Sequence, residues 1–241
     1  MVTKPRAVVC LSGGMDSVTS LAFAIRECNV VLMHVDYGQL TEDRERESSR
    51  RIAKWYDIEE VYTFKTDVLQ KVGASCLTDK NIDVPKDGVD PTTIPISYVP
   101  FRNGNILAMA ASLAQAVDAS FIYTGFVEED SSGYPDCREI FVTAFQTAIT
   151  EGTRPETVIE IRTPVIHMTK MEVIKSAIQL HVPMHLTWSC YENNDAACGV
   201  CDSCRLRIKG FQEMGVIDPI KYAVNIDWKG CKPFELEKSN S

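Results

Sequence analysis

The sequence predicts an α/β fold: a Rossmann-like parallel sheet with helices on both faces, plus a small cysteine-rich C-terminal appendage. Two observations predict it. Apolar runs suited to buried strands alternate with segments whose apolar residues recur at helical spacing, which is typical of a parallel sheet covered on both sides. Near residue 185 this alternation ends, and aromatic residues and cysteines become frequent.

Four apolar runs and four amphipathic segments define the predicted elements. The predicted strands cover residues 7–11, 30–35, 121–124 and 158–162. The predicted helices cover about 15–27, 41–56, 103–117 and 169–180. Thr169 and Glu172 have the spacing of a capping box at the start of the last helix. We therefore expect an α/β domain over 1–184 and a zinc-binding region over 185–241 that packs on it.

Composition and charge limit the classes of function. With 241 residues, 45% of them hydrophobic, the chain is long enough to bury one large core. It has no run of about 20 apolar residues and no apolar signal-peptide core, so we expect a cytoplasmic protein without a membrane partner. The net charge of −8 argues against broad contact with nucleic acid.

The first predicted strand runs directly into the sequence Ser12-Gly-Gly-Met-Asp-Ser17. A glycine-rich turn between a strand and a helix binds phosphate, because backbone N–H groups and the positive end of the helix dipole converge there. The carboxylate of Asp16 would repel bare phosphate, and it fits a Mg²⁺ ligand or a group that orients the loop. An ordinary strand-to-helix connection is the alternative. We predict a phosphate site formed by Leu11, Ser12, Gly13, Gly14, Met15, Asp16 and Ser17.

Four of the nine cysteines lie within fifteen residues, at Cys190, Cys198, Cys201 and Cys204. Disulfides are not expected in a cytoplasmic chain, and four thiolates at this spacing suit one tetrahedral zinc ion in a closed structural site. An iron–sulfur cluster also uses four cysteines. A Cys-x-x-Cys redox pair is a further alternative, but it leaves two of the four cysteines unexplained.

Two basic residues at the starts of helices are candidate phosphate ligands. Arg102 precedes an amphipathic helix and can bind phosphate or carboxylate in a bidentate manner, although a solvated arginine is an equally good interpretation. Lys170 begins the helix after the fourth strand, from which it could reach a pyrophosphate on the opposite side.

A polar, glycine-broken loop at 125–138 follows the third predicted strand and is a candidate substrate-binding segment. Asp130, Asp136 and Arg138 could hydrogen bond to a polar heterocycle, and Tyr134 could stack on it. Cys137 could be a nucleophile, but no histidine lies near it in sequence, and a buried thiol is the simpler interpretation. We interpret His167 as structural.

Together these segments resemble the 7-cyano-7-deazaguanine synthases of the queuosine-precursor pathway. The loop at 12–17 is similar to the pyrophosphate loop of N-type ATP pyrophosphatases, which have an adenine-nucleotide alpha-hydrolase-like fold. The narrower resemblance covers residues 6 to 215. It rests on Val99-Pro-Phe-Arg-Asn103, Ser132-Gly-Tyr-Pro-Asp-Cys-Arg138, Thr187-Trp-Ser-Cys-Tyr191 and Cys198-Gly-Val-Cys-Asp-Ser-Cys204. The resemblance is looser at Glu128, Glu129 and the His-Met-Thr that precedes Lys170, which leaves the roles of these residues open.

The resemblance implies an ATP-dependent ligase that forms a C–N bond. It would convert 7-carboxy-7-deazaguanine and ammonia to the nitrile by carboxylate activation, amide formation and dehydration. It implies ATP and Mg²⁺ at the loop, a structural zinc, free ammonia or a separate donor, and a homodimer. The implied catalytic residues are Asp16, Ser17, Arg102 and Lys170, and the implied substrate-binding residues are Asp130, Tyr134, Asp136 and Arg138.

Two rival functions share some of these features. A tRNA-thiolating ATP pyrophosphatase also combines such a loop with cysteines, and a zinc-dependent nucleic-acid-binding regulatory module would use the cysteine cluster. Both bind nucleic acid, and an isoelectric point near 5.1 argues against each.

Overall fold

The computed structural model describes residues 4–86, 88, 93–128 and 133–235. Its five strands are all parallel and form one sheet in the order β3-β2-β1-β4-β5. The strands are β1 (Arg6–Cys10), β2 (Asn29–Asp36), β3 (Val61–Lys65), β4 (Phe121–Tyr123) and β5 (Glu160–Arg162). Seven α-helices connect and cover them. They are α1 (Met15–Glu27), α2 (Glu42–Trp55), α3 (Val68–Val72), α4 (Arg102–Ala116), α5 (Glu139–Gly152), α6 (Lys170–Gln179) and α7 (Asp202–Met214).

Two apolar cores, one on each face of the sheet, confirm the predicted fold class. Leu21 of α1, Ile52 of α2 and Ile174 of α6 belong to one core. Leu107 of α4 and Val142 of α5 belong to the other. Helices therefore cover both faces of the sheet, as the alternation of strands and helices predicts.

The central position of β1 in the sheet explains why the interior of this strand is apolar. Ala7, Val8 and Val9 are fully buried, and Val8 pairs with Val31 of β2 and Ile122 of β4. A strand with neighbours on both sides and helices on both faces is buried along its interior, so apolar residues occupy those positions, whereas Arg6 at the start of β1 is partly exposed.

The capping box at the start of α6 is confirmed. Thr169 Oγ1 accepts a hydrogen bond from the Glu172 backbone, and the Glu172 side chain accepts one from the Thr169 backbone at 2.9 Å. These two bonds pair backbone donors that a helix N-terminus otherwise leaves without partners. They also fix the direction of Lys170, the first residue of the helix.

Among the elements that the sequence pattern did not predict, β3 and α5 share one property, which is that few of their residues are buried. The edge strand β3 has no fully buried residue, and α5 buries only Val142 and Ile149 of its fourteen residues. Elements with so little burial lack the periodic apolar signal from which the other elements are predicted.

The C-terminal helix α7 packs closely along α6. At Gly210 a Cβ atom would lie 2.8 Å from Lys170 Cβ, so glycine permits this approach. The boundary between residues 184 and 185 stays a prediction. Within the described ranges, no helix is both long and apolar enough to span a bilayer.

Candidate active site

A cavity of about 260 Å³ lies beyond the carboxyl ends of the strands. Its lining residues follow three of them: Leu11 follows β1, Tyr37 follows β2 and Thr124 follows β4. The chain leaves β1 towards β2 on one side, whereas β4 lies on the other side. In open parallel sheets this topological switch point is where ligands bind.

The predicted phosphate loop forms one wall of this cavity. Ser12 Oγ lies 3.0 Å from Ser17 Oγ and accepts a 3.2 Å hydrogen bond from the Gly14 backbone. Gly13 has a φ of +87°, and a Cβ there would lie 2.9 Å from Ser48 Cβ of α2. Only glycine combines this φ with the available space. The backbone N–H of Trp188 donates to Gly13 O at 2.9 Å, so the C-terminal region holds the loop from outside.

A second glycine lets the chain beyond β4 approach the start of α1 closely. A Cβ at Gly125, just beyond β4, would lie 2.4 Å from Ser17 N and 2.6 Å from the Asp16 carbonyl carbon. Any side chain at this position would collide with the backbone of the loop. The closeness of β4 to the loop thus depends on the absence of a side chain at residue 125.

The predicted catalytic pair Asp16 and Lys170 forms an ion pair across the cavity wall. Lys170 Nζ lies 2.8 Å from Asp16 Oδ2. Asp16 Oδ1 is buried and has no hydrogen-bond partner among the described residues. A buried carboxylate oxygen without a partner is costly, and a hard cation such as Mg²⁺ would satisfy it. The donor set therefore fits a magnesium ion at Asp16.

His34 of β2 supports the loop through a contact with Leu11, and the sequence analysis assigns no role to this histidine. The buried His34 contacts Leu11 O through Nδ1 at 2.8 Å and Asp36 Oδ1 through Nε2 at 3.2 Å. Because a carbonyl oxygen can only accept, Nδ1 carries a hydrogen. Asp36 is fixed in turn by Arg46 Nε at 2.6 Å. The only sequence signal was the position of His34 on the strand next to β1.

The opposite wall of the cavity is aromatic and surrounds Arg102. Arg102 Nη1 donates to Tyr37 Oη at 3.2 Å, and its guanidinium carbon lies 5.8 Å from the ring centroids of both Tyr37 and Tyr134. Tyr134 Oη donates to Ser97 Oγ at 2.9 Å. The hydroxyl oxygens of Tyr134 and Tyr191 lie 3.5 Å apart. We call Tyr37, Arg102, Tyr134 and Tyr191 the aromatic wall.

The four predicted substrate-binding residues have different positions. Tyr134 lines the cavity, whereas Asp130 lies outside the described residues. Asp136 is buried beside the cavity, where Oδ2 accepts from Asn103 N at 2.9 Å and Oδ1 accepts from Asn103 Nδ2 at 3.2 Å. Arg138 is exposed and donates to Pro135 O. The structure thus brings Tyr134 to the cavity, while Asp136 holds the start of α4.

Residues with open roles also have defined positions. Cys137 lines the cavity, but burial raises the pKa of its thiol to about 12, so the thiol stays protonated near neutral pH and is a poor nucleophile. His167 is exposed and pairs with Glu139 at 3.3 Å, away from the cavity. Glu128 Oε2 accepts from Glu139 N at the start of α5. Glu129 lies outside the described residues.

The four clustered cysteines converge on one point. The sulfur atoms of Cys190, Cys198, Cys201 and Cys204 all lie within 4.8 Å of one another, and all four residues are buried. The backbone N–H groups of Asn193 and Cys198 donate to Cys190 Sγ at 3.3 Å. Four converging sulfurs with N–H donors around them form a site that could hold zinc.

A buried ion pair joins this cluster to the cavity. Arg207 of α7 donates to both carboxylate oxygens of Asp218 at 2.6 and 2.9 Å, and both side chains are fully buried. Arg207 also donates to Thr187 Oγ1 at 2.8 Å and to Ser189 Oγ at 3.3 Å. These bonds fix the segment that leads through Trp188 to Cys190, and no local motif in the sequence indicated them.

Known proteins resemble the chain over most of its length. A family model described as queuosine biosynthesis protein QueC matches residues 6–215. The 7-cyano-7-deazaguanine synthase of Nautilia profundicola is 51% identical over 218 residues, or 90% of this chain and 98% of that protein. That of Sulfurovum sp. is 48% identical, with the same coverage. A solved structure titled predicted subunit of tRNA methyltransferase, from Methanocaldococcus jannaschii, superposes with a TM-score of 0.46 at 14% identity, covering 72% of this chain and 74% of that one. The chain belongs to the queuosine biosynthesis protein QueC family.

Proposed function

We propose that the protein is a 7-cyano-7-deazaguanine synthase, which converts 7-carboxy-7-deazaguanine, ammonia and ATP to the nitrile. The observation that carries this proposal is a single cavity that combines a phosphate loop with an aromatic wall centred on an arginine. The names of its relatives agree with it. A loop alone indicates nucleotide chemistry, whereas the second wall provides a site for a flat, polar acceptor.

ATP would bind with its phosphates against the loop. The Ser12 and Ser17 hydroxyls and the backbone N–H groups at the start of α1 lie at the cavity, which suits anionic oxygens. Ser17 and Lys170 would contact the leaving pyrophosphate. Mg²⁺, when bound at Asp16, would neutralise charge that develops on the phosphates.

The carboxylate substrate would stack along the aromatic wall. Tyr134 and Tyr37 offer ring faces, and Arg102 lies between them. Its Nε and Nη1 donate to Asn103 Oδ1 and Tyr37 Oη, so Nη2 is the nitrogen that would donate to a carboxylate or phosphate oxygen. This placement would align the substrate carboxylate with the α-phosphorus. Asp136 would act by holding Asn103 and the start of α4, and Asp130 and Arg138 remain proposed contacts of the heterocycle.

The chemistry would begin with attack of a carboxylate oxygen on the α-phosphorus, which forms an acyl adenylate and releases pyrophosphate. Ammonia then displaces AMP to give the amide. A second activation, now of the amide oxygen, followed by its loss with the N–H protons, gives the nitrile. Each activation develops negative charge on phosphate oxygens, which the preorganised donors of the loop would stabilise.

Zinc at the four cysteines would be structural. All four ligand positions come from the protein, so no position stays open for a substrate. When bound, the ion would crosslink the segment 190–204, and through Trp188 it would support the loop.

The protein would act as a homodimer through the surface of α5. Ile140 of α5 is 70% exposed, and Phe101, whose ring lies 5.7 Å from that of the next α5 residue, Phe141, is 53% exposed. Large exposed apolar side chains that lie near one another are typical of an interface. Ile140→Glu should shift the mass in light scattering from dimer to monomer, and a monomeric wild-type protein would refute this assignment.

One assay tests the proposed function. Purified protein with ATP, Mg²⁺, ammonium and 7-carboxy-7-deazaguanine should form the nitrile, with AMP and pyrophosphate as coproducts. Omission of the carboxylate should abolish pyrophosphate formation. Sulfur transfer to tRNA without any nitrile product would refute the proposal.

A further inference from the structure

Glu45 of α2 reaches the cavity at the junction of the loop and the aromatic wall. Its backbone carbonyl lies 3.0 Å from the position that a Cβ on Gly13 would occupy, so α2 packs directly against the loop. Glu45 lines the cavity together with Tyr37 and Arg102. Gln39 and Thr41, the two residues that bond its carboxylate, line the same cavity, so the carboxylate lies at the cavity beside the phosphate loop.

Two buried donors hold this carboxylate in one orientation. Thr41 Oγ1 donates to Oε1 at 2.8 Å, and Gln39 Nε2 donates to Oε2 at 3.0 Å. Gln39 is itself oriented, because its Oε1 accepts from the Tyr37 backbone at 2.9 Å and its NH₂ group must then face Glu45. A carboxylate accepts about four hydrogen bonds, so each oxygen keeps capacity for another.

The reaction needs a proton acceptor at this position. When ammonia attacks the acyl adenylate, a C–N bond forms and the C–O bond to AMP breaks, with its electron pair going to AMP. The nitrogen then carries one hydrogen too many for a neutral amide, and this proton must leave. Ammonia, the acyl adenylate and a carboxylate base of the protein therefore give the amide, AMP and the protonated base, and all atoms balance.

Among the described residues that line the cavity, Asp16 and Glu45 are the two carboxylates. Asp16 pairs with Lys170 at the phosphate side. The thiols of Cys10 and Cys137 have pKa values raised by burial to about 12, which leaves them protonated. Burial also raises the pKa of Glu45 above its usual range, while the nearby His34 and Arg102 act in the opposite direction, and a base with a raised pKa is a more effective proton acceptor.

We propose that Glu45 binds the ammonia nucleophile and accepts its proton during amide formation. This assignment rests on the proposed function and adds a residue to it. The ammonia would lie against the free lone pairs of the Glu45 carboxylate, between the loop and Arg102. Gln39 and Thr41 act as positioning residues that aim the carboxylate.

The test separates activation from amide formation. Exchange between ATP and pyrophosphate that depends on the carboxylate substrate requires no ammonia. Formation of the amide and the nitrile requires ammonia. Glu45→Gln preserves the shape of the side chain and removes the base. We expect exchange within about twofold of wild type, and kcat/KM for ammonium reduced by about 10²-fold or more, as for loss of a general base. Glu47→Gln, an exposed position on the same helix, is the matched control.

The pH profile distinguishes a base from a structural role. In the wild type, kcat/KM calculated per free ammonia should fall on the acid side as Glu45 becomes protonated, and Glu45→Gln should lose that limb. Glu45→Asp keeps a carboxylate and should retain the limb with intermediate activity, which also serves if Glu45→Gln does not fold.

Three results would overturn the assignment: an unchanged ammonium dependence in Glu45→Gln, an unchanged acid limb, or equal loss of exchange and amide formation. Absence of exchange in the wild type would instead refute the proposed function itself.

Discussion

The two walls of the cavity are built in different ways. The loop from Leu11 to Ser17 is one continuous segment, and its shape depends on backbone conformation, two glycines and hydrogen bonds within the loop. The aromatic wall combines four separate segments, and its contacts join residues as far apart as Tyr37 and Arg102. Changes to the polar side chains of the loop should therefore reduce catalysis with little effect on stability, whereas changes in the aromatic wall or its supports should reduce both.

The largest effect is expected at the support that both walls share. Cys201→Ser should release zinc and unfold the C-terminal region, because folding of small metal sites is coupled to metal binding. Trp188 would then lose its position against Gly13. Metal content, melting temperature and limited proteolysis measure this. Cys231→Ser, which lies outside the cluster, is the matched control. An unchanged zinc content and melting temperature would show that the cluster is not a structural metal site.

A change within the loop is expected to reduce catalysis alone. Asp16→Asn removes the charge that pairs with Lys170 and that would bind Mg²⁺. We expect carboxylate-dependent exchange to fall by about 10²- to 10³-fold, as when a group that stabilises developing charge is removed. The melting temperature should change little. Asp43→Asn, whose side chain is 90% exposed, is the control. Exchange within threefold of wild type would exclude Asp16 from the site.

A change in the aromatic wall should affect both properties to a smaller degree. Arg102→Lys keeps the charge but loses the planar fork that lies between Tyr37 and Tyr134. We expect KM for the carboxylate to rise about tenfold, which corresponds to about 1.4 kcal/mol, with a small decrease in melting temperature. A change in KM for ATP alone would instead place Arg102 with the phosphates.

The smallest effect concerns the start of α4, which positions Arg102. Phe101 adopts a left-handed conformation with φ of 54°, and a Cβ on Gly104 would lie 2.2 Å from its ring. Gly104→Ala should therefore destabilise the protein by about 1 kcal/mol through overpacking. Gly152→Ala is the control, because a Cβ there meets nothing within 4 Å. Urea denaturation measures the difference, and equal midpoints for the two variants would contradict it.

The same contrast explains what could be predicted from the sequence. The fold class is confirmed, because β1 is buried on both faces and its sequence shows it. The capping box is also confirmed, since it requires two residues three positions apart. The convergence of the four cysteine sulfurs follows from spacing in the same way. All three features are local in sequence, where simple spacing rules apply.

Features that depend on distant residues were not predictable in this way. Asp136 is a polar residue in a loop and is therefore predicted to contact the substrate, yet it bonds Asn103, 33 positions earlier. The support of Leu11 by His34 and the position of Glu45 at the junction of the walls depend on how β2 and α2 pack against the loop. The spacing of residues along the chain does not predict such packing between elements. The predicted roles of Arg138 and Asp130 stay predictions.

In the proposed reaction, the cavity would activate a carboxylate oxygen by bonding it to the α-phosphorus of ATP. The most direct measurement uses 7-carboxy-7-deazaguanine labelled with ¹⁸O in its carboxylate, with ammonium and ATP, and mass spectrometry of the nucleotide and phosphate products. We expect the label to leave in AMP as the nitrile forms, with none in free phosphate. Label in inorganic phosphate, with ADP as the nucleotide product, would contradict this expectation.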